Sequence, residues 1–297
     1  MFSGREPARG EMVVLRFGTY VRAKSPQDAY ELLRSKKGSR IVGGGGWMRL
    51  SRRSVGTVID LGDCGLDAIN LTHDDPVFGD ALRIGAYVTL RSFELDEHLD
   101  RASGGAAAAA VHDIVGVQFR NLATVGGSVC GRFGFSDVCL VLLALGAHLE
   151  FVGAGRIPLE AFLMDKATCR DVLTHVIVPA APAQASYQAV RRQATDFPVI
   201  NVCAAHTCQG WRVAVGARPG RPRLVVGSAQ EGGAQDASNS QGAPCVTLTD
   251  APTADEVEAA CASAQRLTYS TNMLADAAYR QEVAPVLVRR AIEEAAR

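Results

Sequence analysis

Four consecutive glycines, Gly43 to Gly46 in "RIVGGGGWMRL", follow a short strand-like run, and a second pair, Gly126-Gly127, lies in "FRNLATVGGSVCGRFGFSDV" ahead of an apolar helix. Glycine reaches backbone conformations closed to other residues and lets main-chain N–H groups approach a ligand closely. A lone run of this kind is equally satisfied by a flexible turn, where glycine is the default residue. Two runs, each beside a strand or helix end, are what two jaws on one extended phosphate-bearing ligand require. Turn and cradle therefore stand side by side as readings of these segments.

Familiar phosphate motifs do not fit. The chain has no GxxxxGK[ST], GxGxxG can be laid on "GGGGWM" only without its last glycine, and no acidic residue closes a clear βαβ unit. This argues against a P-loop and against a Rossmann domain. The balance of 31 basic against 31 acidic residues marks no nucleic-acid or anionic-membrane partner. No apolar run approaches the roughly 20 residues of a membrane span, and "MFSGREPARGEMVVLRF" lacks the order of a signal peptide, so the cytoplasm is the expected location. The eight cysteines, Cys64, Cys130, Cys139, Cys169, Cys203, Cys208, Cys245 and Cys261, include no CxxC pair. They are expected to be mostly buried thiols, with no zinc or iron–sulfur site and no other metal site in this chain. His112, His175 and His206 show no pairing with cysteine or serine and are read as structural.

At 297 residues the chain is long enough for roughly two domains with their own cores. Ser25-Pro26 before "QDAYELLRSKK" punctuates a helix, with Ala29, Leu32 and Leu33 on one face and Gly38 past the end. Strands are expected at Ile41-Val42, at 57–61 and at 82–88; Thr89 is placed to cap a helix over 90–99, and the alanine-rich 102–115 reads as another. Asp137 opens the apolar helix "VCLVLLALG", either as its cap alone or with a ligand role besides. A linker is read near 179–185, then strands in "SYQAVRR", "PVINVCAAHTC" and "WRVAVGA", an exposed loop over 227–244, and two closing helices, "TADEVEAACASAQRL" and "AAYRQEVAPVLVRRAIEEAA".

Taken together, "GGGGW" (43–47), "RNLATVGGS" (120–128), Ser136-Asp137, the RxxxDFP pattern of Arg192 to Pro198 and the closing YRxxxxxVLVxRAxxxA pattern of Tyr279 to Ala295 resemble the FAD-binding medium subunit of the molybdenum hydroxylases, the xanthine dehydrogenase and carbon monoxide dehydrogenase type. The resemblance runs over nearly the whole chain. It implies an α+β fold: an FAD-binding domain of the PCMH or vanillyl-alcohol-oxidase type over 1–180, in two subdomains divided near 57, and a smaller α+β C-terminal domain over 181–297. It implies FAD as cofactor. Gly43, Gly44, Gly45, Gly46 and Trp47 are expected on the pyrophosphate and ribityl chain through main-chain N–H groups, and Thr124, Val125, Gly126, Gly127 and Ser128 on the opposite wall. Asp137 is expected to accept from a flavin or sugar hydroxyl, and Gln188 to stand where some relatives carry a lysine near the ring.

The chain departs from the family pattern at Gly46, Trp47 and Ser128, where threonine, aspartate and asparagine are common. The function implied is electron transfer from a 2Fe-2S subunit through FAD to an external acceptor, with that subunit and a molybdopterin subunit as partners and NAD as one candidate acceptor. No catalytic acid or base is required, because a flavin carries the chemistry itself. Two other readings stand beside it: a self-contained flavin oxidoreductase, and a scaffold without FAD.

Overall fold

The computed structural model describes residues 16–46, 48–50, 54–165, 167, 170–227 and 245–297. In chain order the first sheet comes from β1 (Phe17–Arg22), helix α1 (Pro26–Ser35), β2 (Ser39–Val42) and β3 (Val55–Asp60), with the strands parallel in the order β1-β3-β2. Ser25 caps α1 by accepting from the Asp28 N–H at 3.1 Å, and Pro26 follows at the first helical position, where its missing N–H costs nothing. Ala29 and Leu33 bury the inner face of the helix with Ile59 and Leu61. The glycine run leaves β2 at its carboxyl end, the edge at which parallel sheets present ligands.

The second part is β4 (Ile69–Asp75), β5 (Gly79–Gly85), α2 (Leu90–Leu95), α3 (Glu97–Ala102), α4 (Ala106–His112), α5 (Val117–Arg120), α6 (Val125–Gly131), α7 (Asp137–Ala144), β6 (His148–Phe151), β7 (Gly155–Pro158), α8 (Leu159–Met164) and β8 (Leu173–Pro179). Its strands form an antiparallel sheet ordered β4-β5-β8-β6-β7. Period-2 alternation turns Leu82, Ile84, Leu149, Val176 and Val178 toward the helices. The single helix expected over 90–99 is two, because the Asp96 side chain takes the Leu99 N–H at 2.8 Å and starts a new helix there. The alanine-rich helix is shorter than expected, since Gly104 and Gly105, at φ 54° and 81°, end α3 in left-handed conformations before α4 begins.

The third part is β9 (Gln184–Val190), β10 (Ile200–Thr207), β11 (Gly210–Gly216) and β12 (Arg223–Val226), an antiparallel sheet in that order, followed by α9 (Ala254–Gln265) and α10 (Ala277–Ala295). Ile200, Val202, Ala204, Val213 and Val215 pack under α9 and α10, whereas Cys203, Ala205 and Ala214 on the other face join the core of the second part. Between the sheets lies α7, apolar from Val138 on and buried at all eight positions, as a helix surrounded by other elements must be. The fold is α+β, the class expected from the sequence. The expected loop over 227–244 lies, from residue 228 on, outside the described residues. Of the described cysteines, Cys139, Cys203 and Cys261 are buried, Cys64 is half-buried and Cys130, Cys208 and Cys245 are exposed, so burial of most thiols does not hold.

Candidate functional site

The glycine run forms a cradle built by close approach. Gly44 and Gly45 stand at φ 66° and 69°, the left-handed region in which a side chain is strained. A Cβ on Gly44 would come within 1.7 Å of the Leu122 carbonyl oxygen, one on Gly43 within 2.5 Å of Thr124 Oγ1, and one on Gly46 within 2.9 Å of the Phe119 ring. A Cβ on Gly127 would lie 3.1 Å from Thr124 Oγ1 and 3.2 Å from the Gly43 carbonyl oxygen. The two glycine segments, Gly43 to Gly46 and Gly126-Gly127, far apart in sequence, therefore approach each other through their backbones. Among the described residues, the N–H groups of Gly43, Gly44, Gly45 and Gly46 donate to no acceptor. Successive main-chain donors of this kind can serve an anion when they converge on it. Trp47, expected to extend it, lies outside the described residues.

The second segment is less a loop than the opening of α6. Thr124 caps that helix by accepting from the Gly127 N–H at 3.1 Å, while its carbonyl oxygen accepts from the Ser128 N–H and hydroxyl, both at 3.0 Å. The Val125 N–H donates to the Val88 carbonyl at 2.9 Å and the Gly126 N–H to the Ala86 carbonyl at 2.8 Å. These donors are thus used within the protein. Gly126 is buried, and a Cβ on it would meet the Ala86 carbonyl oxygen at 2.6 Å, so it is glycine to let α6 approach the end of β5. What this segment turns outward is exposed Gly127 and half-exposed Ser128, with Thr124 tying them to Gly43.

Beneath the segment Arg120 is buried, and its guanidinium donates to Glu94 at 2.9 and 3.3 Å and to the Ile114 carbonyl at 3.4 Å. Arg91 donates to the same carboxylate at 2.8 Å. Burial pushes the Glu94 carboxyl up, but the hydrogen bonds and charges of Arg91 and Arg120 outweigh it and hold the group below its ordinary value. This brace was missed in the sequence; the quoted "RN" preceding the second glycine segment was its one visible signal.

Asp137 does not cap α7. Ser136 does, accepting from the Cys139 N–H at 3.2 Å, because the cap must precede the first helical residue and Asp137 is that residue. The Asp137 carboxylate instead receives the Tyr187 hydroxyl at 2.5 Å, the Asn201 amide at 2.6 Å and the Arg191 guanidinium at 3.1 Å. A carboxylate offers about four lone-pair directions, so these protein donors leave one, on Oδ2, for anything else. Burial pushes this carboxyl up against the pull of Arg191 and the hydrogen bonds, and pushes the Tyr187 phenol well up, assisted by the charge on Asp137.

Gln188 lies on the face of β9 turned to α10. Its neighbour across the ladder is Val202, whose face packs on α10, while Tyr187 pairs with Cys203 on the face turned to α7. The Gln188 amide accordingly donates to Ser186 Oγ at 3.1 Å and to Glu294 of α10, rather than turning toward Asp137. The pleat, in which successive side chains point to opposite faces, is the reason.

The three histidines singled out in the sequence have ordinary partners: His112 with Asp113, His175 with Arg83 and Glu150, and His206 with Asp250 and the face of Trp211. Among the described residues no cluster of histidine, cysteine or carboxylate side chains is arranged to hold a metal, and no helix is long and apolar enough to cross a membrane. The arrangement of a main-chain cradle at the end of a parallel strand, closed by a capped helix from the next domain layer, defines a cofactor-binding α+β protein of the dinucleotide-holding kind.

The comparisons narrow that class. Residues 15–181, more than half of the chain, match the family described as the FAD binding domain in molybdopterin dehydrogenase. The nicotine 6-hydroxylase medium subunit of Paenarthrobacter nicotinovorans is 31% identical over 300 residues, 93% of this chain and 96% of the relative. The xanthine dehydrogenase FAD-binding subunit of Escherichia coli O157:H7 is 26% identical over 208 residues, 64% of this chain and 68% of the relative. Among solved structures, carbon monoxide dehydrogenase from Hydrogenophaga pseudoflava superposes with a TM-score of 0.77 at 21% identity, covering 96% of this chain and 98% of that one. Quinoline 2-oxidoreductase from Pseudomonas putida 86 gives 0.74 at 19% identity, over 96% and 98%. The chain belongs to the FAD-binding medium subunits of the molybdenum hydroxylase family. It is an oxidoreductase flavoprotein subunit whose cofactor is FAD, and the Gly43 to Gly46 N–H groups, without an acceptor among the described residues, are compatible with such a group.

Proposed function

We propose that this chain carries FAD between a 2Fe-2S subunit and an external electron acceptor, as the middle member of an enzyme whose third subunit holds molybdopterin. The observation that carries the reading is the cradle of Gly43 to Gly46, four main-chain donors with no acceptor among the described residues, pressed against the Thr124-capped second segment. Gly43, Gly44, Gly45 and Gly46 would hold the pyrophosphate, with Thr124, Gly127 and Ser128 as the facing wall. Trp47 stands next in sequence for the ribityl side. Val125 and Gly126 serve from beneath, by locking α6 to β5. When bound, FAD supplies the capacity to take electrons singly and pass them on as a pair, so the protein has to hold and shield it rather than donate protons.

The relatives support a multi-subunit setting, since one is itself called a medium subunit. The chain's own composition supports it too: its cysteines have no cluster spacing, so electrons would have to arrive from another polypeptide. The expected partners are an iron–sulfur chain and a molybdopterin chain, and NAD is the first acceptor to assay. Isolation of the tagged protein from its native source should bring down two further polypeptides carrying iron and molybdenum. A protein that emerges alone and oxidises an organic substrate at an enzymatic rate, roughly 1 per second or faster, overturns the subunit reading in favour of a self-contained oxidase.

A further inference from the structure

Two phenols reach one carboxylate where the two glycine-bearing parts of the chain meet. Asp60 is the last residue of β3, and its ladder partner on β2 is Val42, the residue directly before Gly43. Its carboxylate accepts the Tyr87 hydroxyl at 2.7 Å and the Gly62 N–H at 2.9 Å on Oδ1, and the Tyr20 hydroxyl on Oδ2. Tyr20 lies on β1, in the same parallel sheet as Asp60. Tyr87 does not: it follows β5, in the segment from which α6 hangs. There the Ala86 carbonyl accepts from the Gly126 N–H at 2.8 Å, the Val88 carbonyl accepts from the Val125 N–H at 2.9 Å, and the Leu90 N–H donates to the Ala123 carbonyl at 2.8 Å. Tyr87 therefore sits between the two carbonyls that anchor the second glycine segment, and its hydroxyl crosses to the residue beside the first. Burial pushes the Asp60 carboxyl up, but the three hydrogen bonds and the Arg22 charge outweigh it and hold the group below its ordinary value. At neutral pH the acceptor is thus a carboxylate, and a phenol donating to a carboxylate makes one of the stronger kinds of hydrogen bond.

We propose that Asp60 and Tyr87 are positioning residues for the flavin: their hydrogen bond fixes the spacing of the Gly43 to Gly46 run against the Thr124 to Ser128 segment. The bond acts through Val42 on one side and through Ala86 and Val88 on the other. The inference rests on the reading that these two segments hold FAD. Packing of Gly44 under the Leu122 carbonyl limits how near the segments come, but it does not resist their separation. A directional bond between the flanking residues does. Tyr20 is the internal control, since its hydroxyl meets the same carboxylate yet joins two strands of one sheet.

Release of FAD from the loaded full chain, followed on dilution by flavin fluorescence, tests the proposal alongside melting of the flavin-free protein. Tyr87→Phe removes one oxygen and should release FAD roughly tenfold faster, the scale of losing one such hydrogen bond. Its flavin-free melting temperature should fall no further than that of Tyr20→Phe, which should release FAD at the wild-type rate. Asp60→Ala should match Tyr87→Phe, and the double variant should go no further, as coupled residues behave. Asp60→Asn, whose amide oxygen still accepts from Tyr87, should restore most of the wild-type rate. Where Asp60→Ala does not fold, Tyr87→Phe and Asp60→Asn carry the test. Wild-type release from folded Tyr87→Phe, or equal acceleration by Tyr20→Phe, overturns the proposal. Gly44→Ala separates the two levels. If it keeps its full flavin, the cradle and this inference fall together; if it loses flavin while Tyr87→Phe retains FAD as the wild type does, only the positioning role falls.

Discussion

The carbonyl oxygen of Leu122 occupies the space that a side chain on Gly44 would need, at 1.7 Å from an ideal Cβ. That one relationship joins the two glycine segments, since Gly44 belongs to the loop after β2 and Leu122 to the turn that leads into Thr124 and α6. Gly44→Ala is therefore strained twice, by its left-handed backbone and by the collision. Gly45→Ala, whose Cβ would meet only Val42 Cγ2 at 3.4 Å, keeps the left-handed penalty of about 1–2 kcal/mol without the clash. Flavin-to-protein ratios from visible absorbance should show Gly44→Ala nearly devoid of FAD and Gly45→Ala partly loaded. Equal loading of the two would dissociate cofactor binding from the contact with Leu122.

Thr124 links the segments from the other side, as cap of α6 and as neighbour of Gly43. Thr124→Val keeps the shape and removes the acceptor for the Gly127 N–H, which should cost about 1 kcal/mol of stability and weaken FAD retention during gel filtration. Gly126→Ala should behave differently, losing stability through its collision with Ala86 whether or not flavin is present. Melting curves with and without added FAD separate the two cases.

Glu94 and Arg120 form an ion pair whose side chains are 7% and 6% exposed. Removing the acid leaves a buried guanidinium without its counter-charge, so Glu94→Gln should cost about 3–5 kcal/mol in denaturant unfolding. The pair also gives a pH signature. Glu94 is held below its ordinary value in the folded protein, so the native state binds fewer protons than the unfolded chain. Its contribution is complete above the unfolded carboxylate value of about 4.3 and disappears as pH falls through the lower folded value. Stability of the wild type should therefore drop more steeply with acid than that of Glu94→Gln.

Arg280 is fully buried and donates to the Val199, Ser270 and Ala275 carbonyls and to Asn272 Oδ1, at 2.6–2.8 Å. Arg280→Met leaves these acceptors unpaired in the C-terminal part and should lower stability by about 3 kcal/mol. Arg280→Lys should not restore it, because a single ammonium cannot reproduce a planar fork of donors. A lysine variant that melts like the wild type would show that the charge alone suffices.

Local signals in the chain determined a good deal of this protein. Ser25-Pro26 and Thr89 start helices where capping chemistry says they must, "VCLVLLALG" is apolar all round and is a buried helix, and the alternating runs after residue 184 are the strands of the last sheet. The glycine runs and the flanking patterns also carried the family, and in the structure the glycines are required by close backbone approach, as at Gly44 against Leu122 and Gly126 against Ala86. What the sequence could not decide was which groups meet at long range. Asp137 reads as a cap beside its helix, yet its partners lie 50 or more positions away. Gln188 and Tyr187 are adjacent in sequence but face opposite sides of β9, a matter of one residue of pleat. Arg120 opens the quoted RNLATVGGS pattern, and nothing in that pattern showed its partner, Glu94, 26 residues upstream. Capping, periodicity and backbone freedom act within a few residues and are written locally. The pairing of buried charges and the face a strand presents are fixed only when separate layers pack, and there the tertiary structure decides.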